Sequence, residues 1–577
     1  MASLNVQDEI KPPATIESRD VEKSMPPEAE KPDGAPIVVS DKLARQLSAR
    51  QVQMIAIAGT IGTGLFLGTG KSLATGGPAS MLISYSIVGA IVFITMLSLG
   101  EMATFIPIAG SFCTYAGRFV DDAFGFALTW NYWFNDAVST AAYLVALQLL
   151  LKYWTDSFPG WAFSLIFLFV LVGLNIVSVR AYGEMEYILS LLKVVTIVVS
   201  GASLYTNWPI LAKNTDLVQL QIFIILGIAV NCGGNVDHQY IGGSFFLKGD
   251  APFVGGIGGF ASVFVTASFA YGGTESIAIT AGETKDPTRN MPRVIRNVFW
   301  RILIFYILAI LMIGLNVPYD YPELTTKDTR TSPFTIVFQQ AGSRIAGSFI
   351  NAVIVTSVLS AGNHALFAGT RLLYTLAVNG HGPAIFGKLN RWKTPWIAVI
   401  GTSAISGLCF GASYIGAGQL WTWLQNIVGV SNQISWMAIG YSSLRFRQAV
   451  RMQNLEHLLP FKNWTYPWGP ILSIGLNGLL ILVQGWSSFS PKFKPVDFVS
   501  FYIQLPVILC MFLTWKFVVK KTKFVKLEEM DLLTDRYEEA RVAGAADLGA
   551  SSAVEVADGP NNKWQNKLKR AGQWVFL

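Results

Sequence analysis

About twelve apolar runs, each near twenty residues long, follow one another between residues 52 and 519 of this chain. Hydrophobic residues fill 52% of its 577 positions and charged residues only 14%. A soluble protein could not bury that many apolar side chains, whereas runs of this length suit helices that cross a bilayer. The sequence therefore predicts an all-α polytopic membrane protein. The predicted spans are 52–70, 80–106, 124–151, 161–180, 186–206, 257–281, 299–317, 345–374, 396–415, 419–443, 468–486 and 499–519.

The apolar segment 217–231 makes the number of spans ambiguous. Twelve helices remain if this segment ends the fifth span or forms a buried strand-like insert. If it is a thirteenth span, the membrane orientation of every later span and loop is reversed. Lys and Arg help to decide, because they accumulate in cytoplasmic loops. Their alternation from loop to loop fits twelve spans, with both termini in the cytoplasm. The basic clusters on the predicted inner side include 285–296, 388–393, 445–462 and 516–526.

Three regions follow from this pattern. Residues 1–48 are polar and rich in Pro, Glu and Lys, and predict a disordered cytoplasmic tail. Residues 49–520 form the predicted twelve-helix domain, and 521–577 a cytoplasmic C-terminal tail. Four scattered cysteines and four dispersed histidines support neither a disulfide framework nor a metal site, so we predict no metal and no cofactor. The net charge of +7 lies largely in the loops and does not indicate a nucleic-acid partner.

Two of the predicted spans are interrupted by glycines. The first span contains GTIGTG at residues 59–64, and the sixth contains YGGT at 271–274 followed by Glu275. Glycine weakens a helix interior, and a carboxylate near the bilayer midplane is rare unless it faces a cavity or a partner. Interruptions at matching places in two halves are typical of secondary transporters built from inverted repeats. The alternative is close helix packing at the glycines, with Glu275 capping a half-helix.

The chemistry of an interrupted helix predicts the kind of solute. One half-helix offers free N–H groups that suit a carboxylate, and the other offers carbonyl groups that suit an ammonium. Hydroxyl groups of Thr60, Thr63 and Thr274 stand beside the two interruptions. A site that offers both kinds of group suits a zwitterion. The residues therefore indicate an amino-acid-like solute without indicating which one.

Three ionisable residues inside the predicted spans have two interpretations each. Lys193 either exchanges a proton during transport or permanently ties helices together. Asp136 either attracts a cationic side chain or accepts hydrogen bonds from a neighbouring helix. Glu275 either holds an ammonium group or carries a coupling proton. The pattern around His364 favours a packed helix contact over a proton relay, and Glu101 is expected to pair with an arginine.

Ordered motifs across residues 45–525 give the chain a family resemblance. They are GTIGTGLFLG at 59–68, GP at 77–78, LGEM at 99–102, PIAGSF at 107–112, ASFAYGGTE at 267–275, GETKDP at 282–287, IRNVFWRI at 295–302 and SPF at 332–334. With these motifs the chain resembles the fungal amino-acid permeases, the yeast amino-acid transporter family of the APC superfamily. It is also similar to bacterial lysine-specific permeases.

This resemblance implies a leucine-transporter-type fold and a mechanism. The fold would have 5+5 inverted repeats at about 50–206 and 255–444, interrupted helices 1 and 6, and helices 11 and 12 at about 466–520. Its activity would be proton symport of L-amino acids into the cell across the plasma membrane, of broad range or leaning to cationic ones. Tail lysines of such permeases serve ubiquitin-ligase machinery, which would be a partner here. The competing interpretation is an amino-acid-sensing receptor with little flux; we find no motif of an enzyme.

The resemblance also implies the roles of individual residues. The α-carboxylate would meet the first-span backbone at Gly62, Thr63 and Gly64. The α-amine would meet carbonyls at Phe269, Ala270 and Gly272. Lys193 would couple protons, and Glu275 would be the acid of the sixth span. The chain departs from bacterial lysine permeases in the third span, where Asp136 replaces an aromatic residue and Tyr143 replaces an acid.

Overall fold

The computed structural model describes residues 62–108, 110–155, 157–177, 184, 186, 215–283, 287–324, 332–342, 344–489 and 492–536. Of the predicted site residues, Thr60 and Lys193 lie outside the described residues, as does the rest of the fifth predicted span apart from Glu186. The described chain is helical and contains no β-strand. This agrees with the all-α fold that the apolar runs predict.

The helices follow the predicted apolar runs closely. They are α1 (Thr63–Phe66), α2 (Gly68–Phe105), α3 (Ser111–Phe119), α4 (Asp122–Leu151), α5 (Gly160–Val177), α6 (Thr215–Asn231), α7 (Gly256–Tyr271), α8 (Pro287–Arg301), α9 (Ala309–Asn316), α10 (Pro333–Gln340), α11 (Arg344–Val378), α12 (Trp396–Ser406), α13 (Ala412–Ile415), α14 (Ala417–Met452), α15 (Trp468–Val483), α16 (Pro495–Tyr502) and α17 (Gln504–Leu513). A π-helix, Ile302–Leu308, joins α8 to α9, and a second one, Thr514–Val519, continues α17.

Six helical stretches in the described part of the chain are long and apolar enough to cross a membrane. A seventh is added if the bent pair Pro495–Tyr502 and Gln504–Val519 forms one span. On α5, Ile166, Phe169 and Val170 are exposed, as expected of side chains that face lipid acyl chains. The structure thus supports a multi-pass membrane protein, while the number of twelve spans stays a prediction.

The first interruption is described from Gly62 onward and lies directly before α1. Gly62 has an extended backbone (φ −138°, ψ −154°) and no side chain caps the short helix that follows it. Farther along, α2 kinks at Gly77, whose φ of +83° and close approach to the Pro252 carbonyl exclude a side chain. The described end of the first predicted span and the second predicted span therefore form one kinked helical stretch.

The second interruption falls where the glycine pair predicts it. Helix α7 ends at Tyr271, Gly272 leaves the helical conformation (ψ 149°) and Gly273 has a φ of +84°. The chain then continues as a 3₁₀-helix, Glu275–Glu283. The sixth predicted span is thus an α-helix joined by two glycines to a tighter helix.

The ambiguous segment 217–231 belongs to a helix, α6, and not to a strand-like insert. This helix packs beside α9, where the side chain of Asn316 donates a hydrogen bond to the Gly227 carbonyl (3.0 Å). A Cβ on Gly227 would lie 3.2 Å from Met312, which shows how closely the two helices approach. Helix α6 has 17 residues, at the lower limit for a span.

Residues 521–536, here called the strap, pack against the end of the bundle formed by α3, α4 and α14. The Val525 amide donates to the Val120 carbonyl (3.0 Å), and Met530 and Leu532 are 2% and 1% exposed. Beside the strap, Glu101 forms an ion pair with Arg447 of α14, so Glu101 pairs with an arginine as expected. The strap marks one end of the bundle, called the strap end below.

Candidate functional site

A cavity lies at the centre of the bundle, beside both interruptions. Its wall includes Asp136 and Tyr143 of α4, Phe269 and Gly272 at the second interruption, His364 of α11 and Asn432 of α14. Its volume is about 20 Å³, which is enough for a water molecule, and the cavity is partly open at its mouth. A bound amino acid would therefore require the side chains of the wall to move apart.

The two interrupted spans touch each other directly beside this cavity. A Cβ on Gly64 would lie 2.3 Å from the Cα of Ala270, so the two main chains are in van der Waals contact. A Cβ on Gly62 would lie 3.2 Å from the ring of Tyr143, a residue of the cavity wall. The sequence prediction that the two glycine motifs lie together is therefore confirmed for their described residues.

Some of the polar main-chain groups at the first interruption already form hydrogen bonds within the protein. The Gly62 carbonyl accepts from the amides of Leu65 and Phe66 at 3.2 and 3.3 Å. The first N–H groups of a helix have no intrahelical acceptor, and no side chain caps α1. The Thr63 hydroxyl is buried and forms no hydrogen bond with the described residues. The first interruption thus offers donors, as a carboxylate requires, although none of its described residues lines the cavity.

The carbonyl groups at the second interruption already accept hydrogen bonds from other groups of the protein. The Ala270 carbonyl accepts a hydrogen bond from the Tyr306 hydroxyl (2.7 Å), and the Phe269 carbonyl accepts one from the Gly272 amide (3.2 Å). A carbonyl oxygen has two lone pairs, so each retains one. The Thr274 hydroxyl donates to the Tyr271 carbonyl (2.6 Å) and does not line the cavity.

Asp136 presents a carboxylate to the cavity. It is 5% exposed, and its Oδ2 atom has no hydrogen-bond partner among the described residues. Its Cβ packs closely on Gly369 of α11, where an added Cβ would lie 3.0 Å away. Buried polar atoms in proteins nearly always have a partner, so this oxygen can accept a hydrogen bond from a group in the cavity.

Glu275 lies beside the cavity, and its carboxylate is held by other side chains. Oε1 accepts from the Tyr132 hydroxyl (2.6 Å) and Oε2 from the Trp436 indole (3.0 Å). The side chain is completely buried, and no ion pair joins it to a basic group within the described ranges. This arrangement places Glu275 one layer behind the cavity wall, so the structure does not bring it into contact with the space that a solute would fill.

Six polar residues of the cavity wall were not among the predicted binding residues: Asn135, Ser139, Tyr143, Ser276, His364 and Asn432. Asn135 donates to Asn432 (3.2 Å), and the amide of Asn432 donates to the Ser268 carbonyl (3.1 Å). His364 lies 2.6 Å from the Ser276 hydroxyl through its Nε2 atom. The Ser276 hydroxyl also donates to the Gly273 carbonyl (2.6 Å), so Nε2 of His364 is the donor in that pair.

One buried acid escaped the sequence analysis altogether. Glu186 is fully buried and accepts hydrogen bonds from Ser360 and Asn363 of α11, both at 2.6 Å. It precedes Lys193 by seven residues in the sequence. The sequence shows an acidic residue at the start of a predicted span, but only the fold shows that α11 donates hydrogen bonds to its carboxylate.

Comparison with known proteins agrees with this architecture. A family model described as amino acid permease matches residues 51–203 and 216–528. A probable amino-acid permease of Schizosaccharomyces pombe is 45% identical over 512 residues, covering 86% of this chain and 96% of that permease.

Relatives with named substrates are also similar. The lysine-specific permease LysP of Escherichia coli is 42% identical over 495 residues, which cover 85% of this chain and 96% of LysP. The basic amino-acid permease of Saccharomyces cerevisiae is 34% identical over 507 residues, covering 86% of this chain and 84% of that permease. The chain therefore belongs to the amino acid permease family, whose members are multi-pass membrane proteins that transport amino acids.

Proposed function

We propose that this amino-acid permease takes up its substrates by proton symport and favours amino acids with a cationic side chain. The carrying observation is the buried carboxylate of Asp136, which faces the central cavity with one oxygen unpartnered among the described residues. A buried carboxylate oxygen without a partner destabilises the protein, and an ammonium or guanidinium group bound in the cavity removes that cost.

The geometry supports one orientation of the substrate. The α-carboxylate would lie toward the backbone of Gly62, Thr63 and Gly64, where the Thr63 hydroxyl is unpartnered among the described residues. The α-amine would lie toward the carbonyls of Phe269, Ala270 and Gly272 across the contact between the two interruptions. The side chain would then extend along α4 toward Asp136.

The two positions at which this chain differs from bacterial lysine permeases in the third span both line this cavity. Asp136 and Tyr143 are two helical turns apart on α4, and both line the cavity. A carboxylate at either position would therefore meet a cationic side chain in the same space. The lysine-specific and basic amino-acid permeases among the relatives support the same substrate class.

Proton coupling is proposed for Glu275 and Lys193. Glu275 is a buried carboxylate with no ion pair among the described residues, so binding a proton would neutralise it without breaking an ion pair. Its partner Tyr132 lies one turn of α4 before Asp136, so a change in charge at Glu275 acts on the cavity electrostatically. The proposal for Lys193 rests on the family resemblance, which aligns it with a lysine of proton-coupled relatives.

We place the permease in the plasma membrane with both termini cytoplasmic. The strap end of the bundle carries Arg118, Arg445, Arg447, Lys516 and Lys520, and their number fits the rule that basic residues remain inside. That orientation directs uptake from the end opposite the strap toward the cytoplasm. Tail lysines as targets of ubiquitin-ligase machinery belong to the same proposal.

Uptake of a panel of radiolabelled amino acids by a permease-deficient fungal strain tests the proposal. We expect lysine and arginine to accumulate, and a protonophore to abolish the accumulation. Asp136→Asn should lower cationic uptake roughly ten- to hundredfold, the size expected on losing one hydrogen bond between charged groups, while neutral amino acids change little. Asp320→Asn is the matched control, because Asp320 is exposed and pairs with Lys248 away from the cavity.

Three results would contradict specific parts of the proposal. Undiminished accumulation with the protonophore would exclude symport. Uptake of glutamate without lysine or arginine would exclude the cationic preference. An equal loss of cationic and neutral uptake in Asp136→Asn would show that Asp136 supports the structure and does not select the side chain.

A further inference from the structure

A buried lysine, Lys71, lies beyond the central cavity on α2. It is 8% exposed, and its ammonium group donates to Oε1 of Gln425 on α14 (3.0 Å). No carboxylate within the described part of the chain lies at ion-pair distance from it. Asp497 acts on it electrostatically from farther away, while the carboxylate of Asp497 accepts from the Trp423 indole (3.3 Å).

Two N–H donors near Lys71 have no acceptor among the described residues. They are the Nε2 amide of Gln425 and the Nε1 indole of Trp421, both buried. The ammonium of Lys71 lies 5.9 Å from the centre of the Trp421 ring. A positive charge near two unpartnered N–H groups favours an anion, because a buried donor without an acceptor raises the free energy of the protein.

This cluster adjoins the central cavity through two aromatic rings. The ring of Trp421 meets the ring of Phe269 edge to face, with centroids 6.5 Å apart, and Phe269 lines the cavity. A series of contacts therefore leads from Lys71 through Trp421 and Phe269 to the cavity. A shift of the Phe269 and Trp421 rings would connect the cluster around Lys71 with the central cavity.

The path of α2 indicates on which side of the cavity the cluster lies. Lys71 is less than two turns from the kink at Gly77, whereas Glu101 follows that kink by about 35 Å of helix. Glu101 pairs with Arg447 at the strap end. Lys71 therefore lies toward the opposite end, which is the outer end in the proposed orientation.

We propose that Lys71, Gln425 and Trp421 form an outer station that binds the carboxylate of an amino acid on its way to the central cavity. The inference rests on the proposed uptake of amino acids. A carboxylate accepts hydrogen bonds from an ammonium group and from N–H groups, and every amino acid carries one whatever its side chain. The station thus selects for an amino acid as such, and Asp136 selects among side chains.

The test compares concentration-dependent uptake in wild type, Lys71→Met and Lys71→Arg. Met keeps the length of the side chain and removes a buried charge, so we expect it to fold; fluorescence of a tagged protein at the cell surface checks this. In Lys71→Met the KM should rise at least about tenfold, because a charged hydrogen bond is lost, with Vmax within about twofold. The KM of Lys71→Arg should lie between the KM of wild type and that of Lys71→Met.

The matched control is Lys248→Met, because Lys248 is an exposed lysine paired with Asp320 and has no contact with the station. Its KM should equal that of wild type. A second readout is inhibition of uptake by the transported amino acid and by its carboxamide. Wild type should discriminate strongly between them, and Lys71→Met should discriminate less, which a merely structural effect would not produce.

An unchanged KM in Lys71→Met, or an equal loss of inhibition by the acid and the amide, would overturn the station while uptake itself stands. Uptake that depends on chloride in wild type and loses this dependence in Lys71→Met would identify a chloride site and overturn the carboxylate station. Absence of uptake by wild type would overturn the proposed function, and the station with it.

Discussion

Gly64 lies at the contact between the two interrupted spans, and the space there excludes any side chain. A Cβ at Gly64 would lie 2.3 Å from main-chain atoms of Ala270, whereas a Cβ at Gly173, also within a helix, would meet no atom within 4 Å. We expect Gly64→Ala to lower uptake at least about tenfold, because overpacking against a backbone forces the two spans apart. Uptake and surface fluorescence of the tagged protein measure the effect.

Gly173→Ala provides the comparison, since it adds the same methyl group to a helix without a neighbour. Its uptake should remain within about twofold of wild type, since it adds no close contact. Similar activity of the two alanine variants would show that the close approach at Gly64 is not required for transport.

Glu275 gives a second prediction at this scale. In Glu275→Gln one carboxylate oxygen becomes an amide NH₂ group, which only donates. The glutamine side chain therefore cannot keep both the hydrogen bond from Tyr132 and that from Trp436, and it cannot exchange a proton. We expect accumulation driven by the proton gradient to fall at least about tenfold, since charged hydrogen bonds contribute that much. Exchange of labelled for unlabelled substrate across equilibrated membranes should persist. Full accumulation in Glu275→Gln would remove the coupling role of Glu275.

Single residues also show where sequence reasoning succeeds. Gly62, Gly64 and Gly272 were predicted from the unusual position of glycines inside apolar runs, a local signal. The partners of Glu275 were not predicted, because Tyr132 and Trp436 come from helices far apart in the chain. His364 was interpreted as a packing contact, and the structure shows it in the cavity wall because α11 faces the second interruption.

At the scale of elements, the strap is a structure that the apolar pattern could not reveal. Arg118 at the end of α3 donates to the carbonyls of Asp531 and Thr534 and forms ion pairs with the carboxylates of Asp531 and Asp535. These contacts join segments more than 400 residues apart. Residues 521–536 are polar enough to resemble a tail, and only tertiary contacts order them.

Removal of the strap tests its contribution to stability. A chain that ends at residue 520 loses the bonds of Arg118 and the buried Met530 and Leu532, whereas one that ends at 536 keeps them. We expect the shorter chain to melt several degrees lower than wild type in detergent and the longer one to melt as wild type does, because burial of two such side chains contributes a few kcal/mol. Equal melting temperatures for the two truncated chains would contradict a stabilising strap.

The Arg118–Asp531 pair gives the strap a defined pH dependence. Burial alone would raise the pKa of Asp531, but the hydrogen bond from the Thr534 amide and the charge of Arg118 outweigh it and lower the pKa below 3.8. Stabilisation by this carboxylate is therefore complete above pH 3.8 and is lost as the pH falls through the lowered value. Asp531→Asn should reduce the melting temperature equally at pH 5 and pH 7; a difference that shrinks at pH 5 would contradict this.

At the scale of the whole molecule, the apolar runs predicted the class of fold, and the binding site that the two interruptions predict stays a prediction. The lining from α4, α11 and α14 was less predictable, because a long apolar helix carries no sequence signal for the face that turns toward a cavity. The count of twelve spans and the inverted repeats stay predictions, since Lys193 and most of the fifth predicted span lie outside the described residues.

The proposed function assigns different parts of the substrate to different parts of the protein. The interrupted main chains near Gly62 and Gly272 would bind the part common to all amino acids, and Asp136 would bind one class of side chain. Such a division predicts that substrate range changes by substitutions on α4, whereas loss of all transport follows from substitutions at the interruptions.

A cryo-electron microscopy structure of the purified permease saturated with lysine tests the central claim most directly. The account predicts density for one lysine between residues 62–64 and 269–272, with its side-chain ammonium within hydrogen-bond distance of Asp136. Lysine density at another place, or continuous helices that run through both glycine motifs without enclosing a ligand, would contradict it.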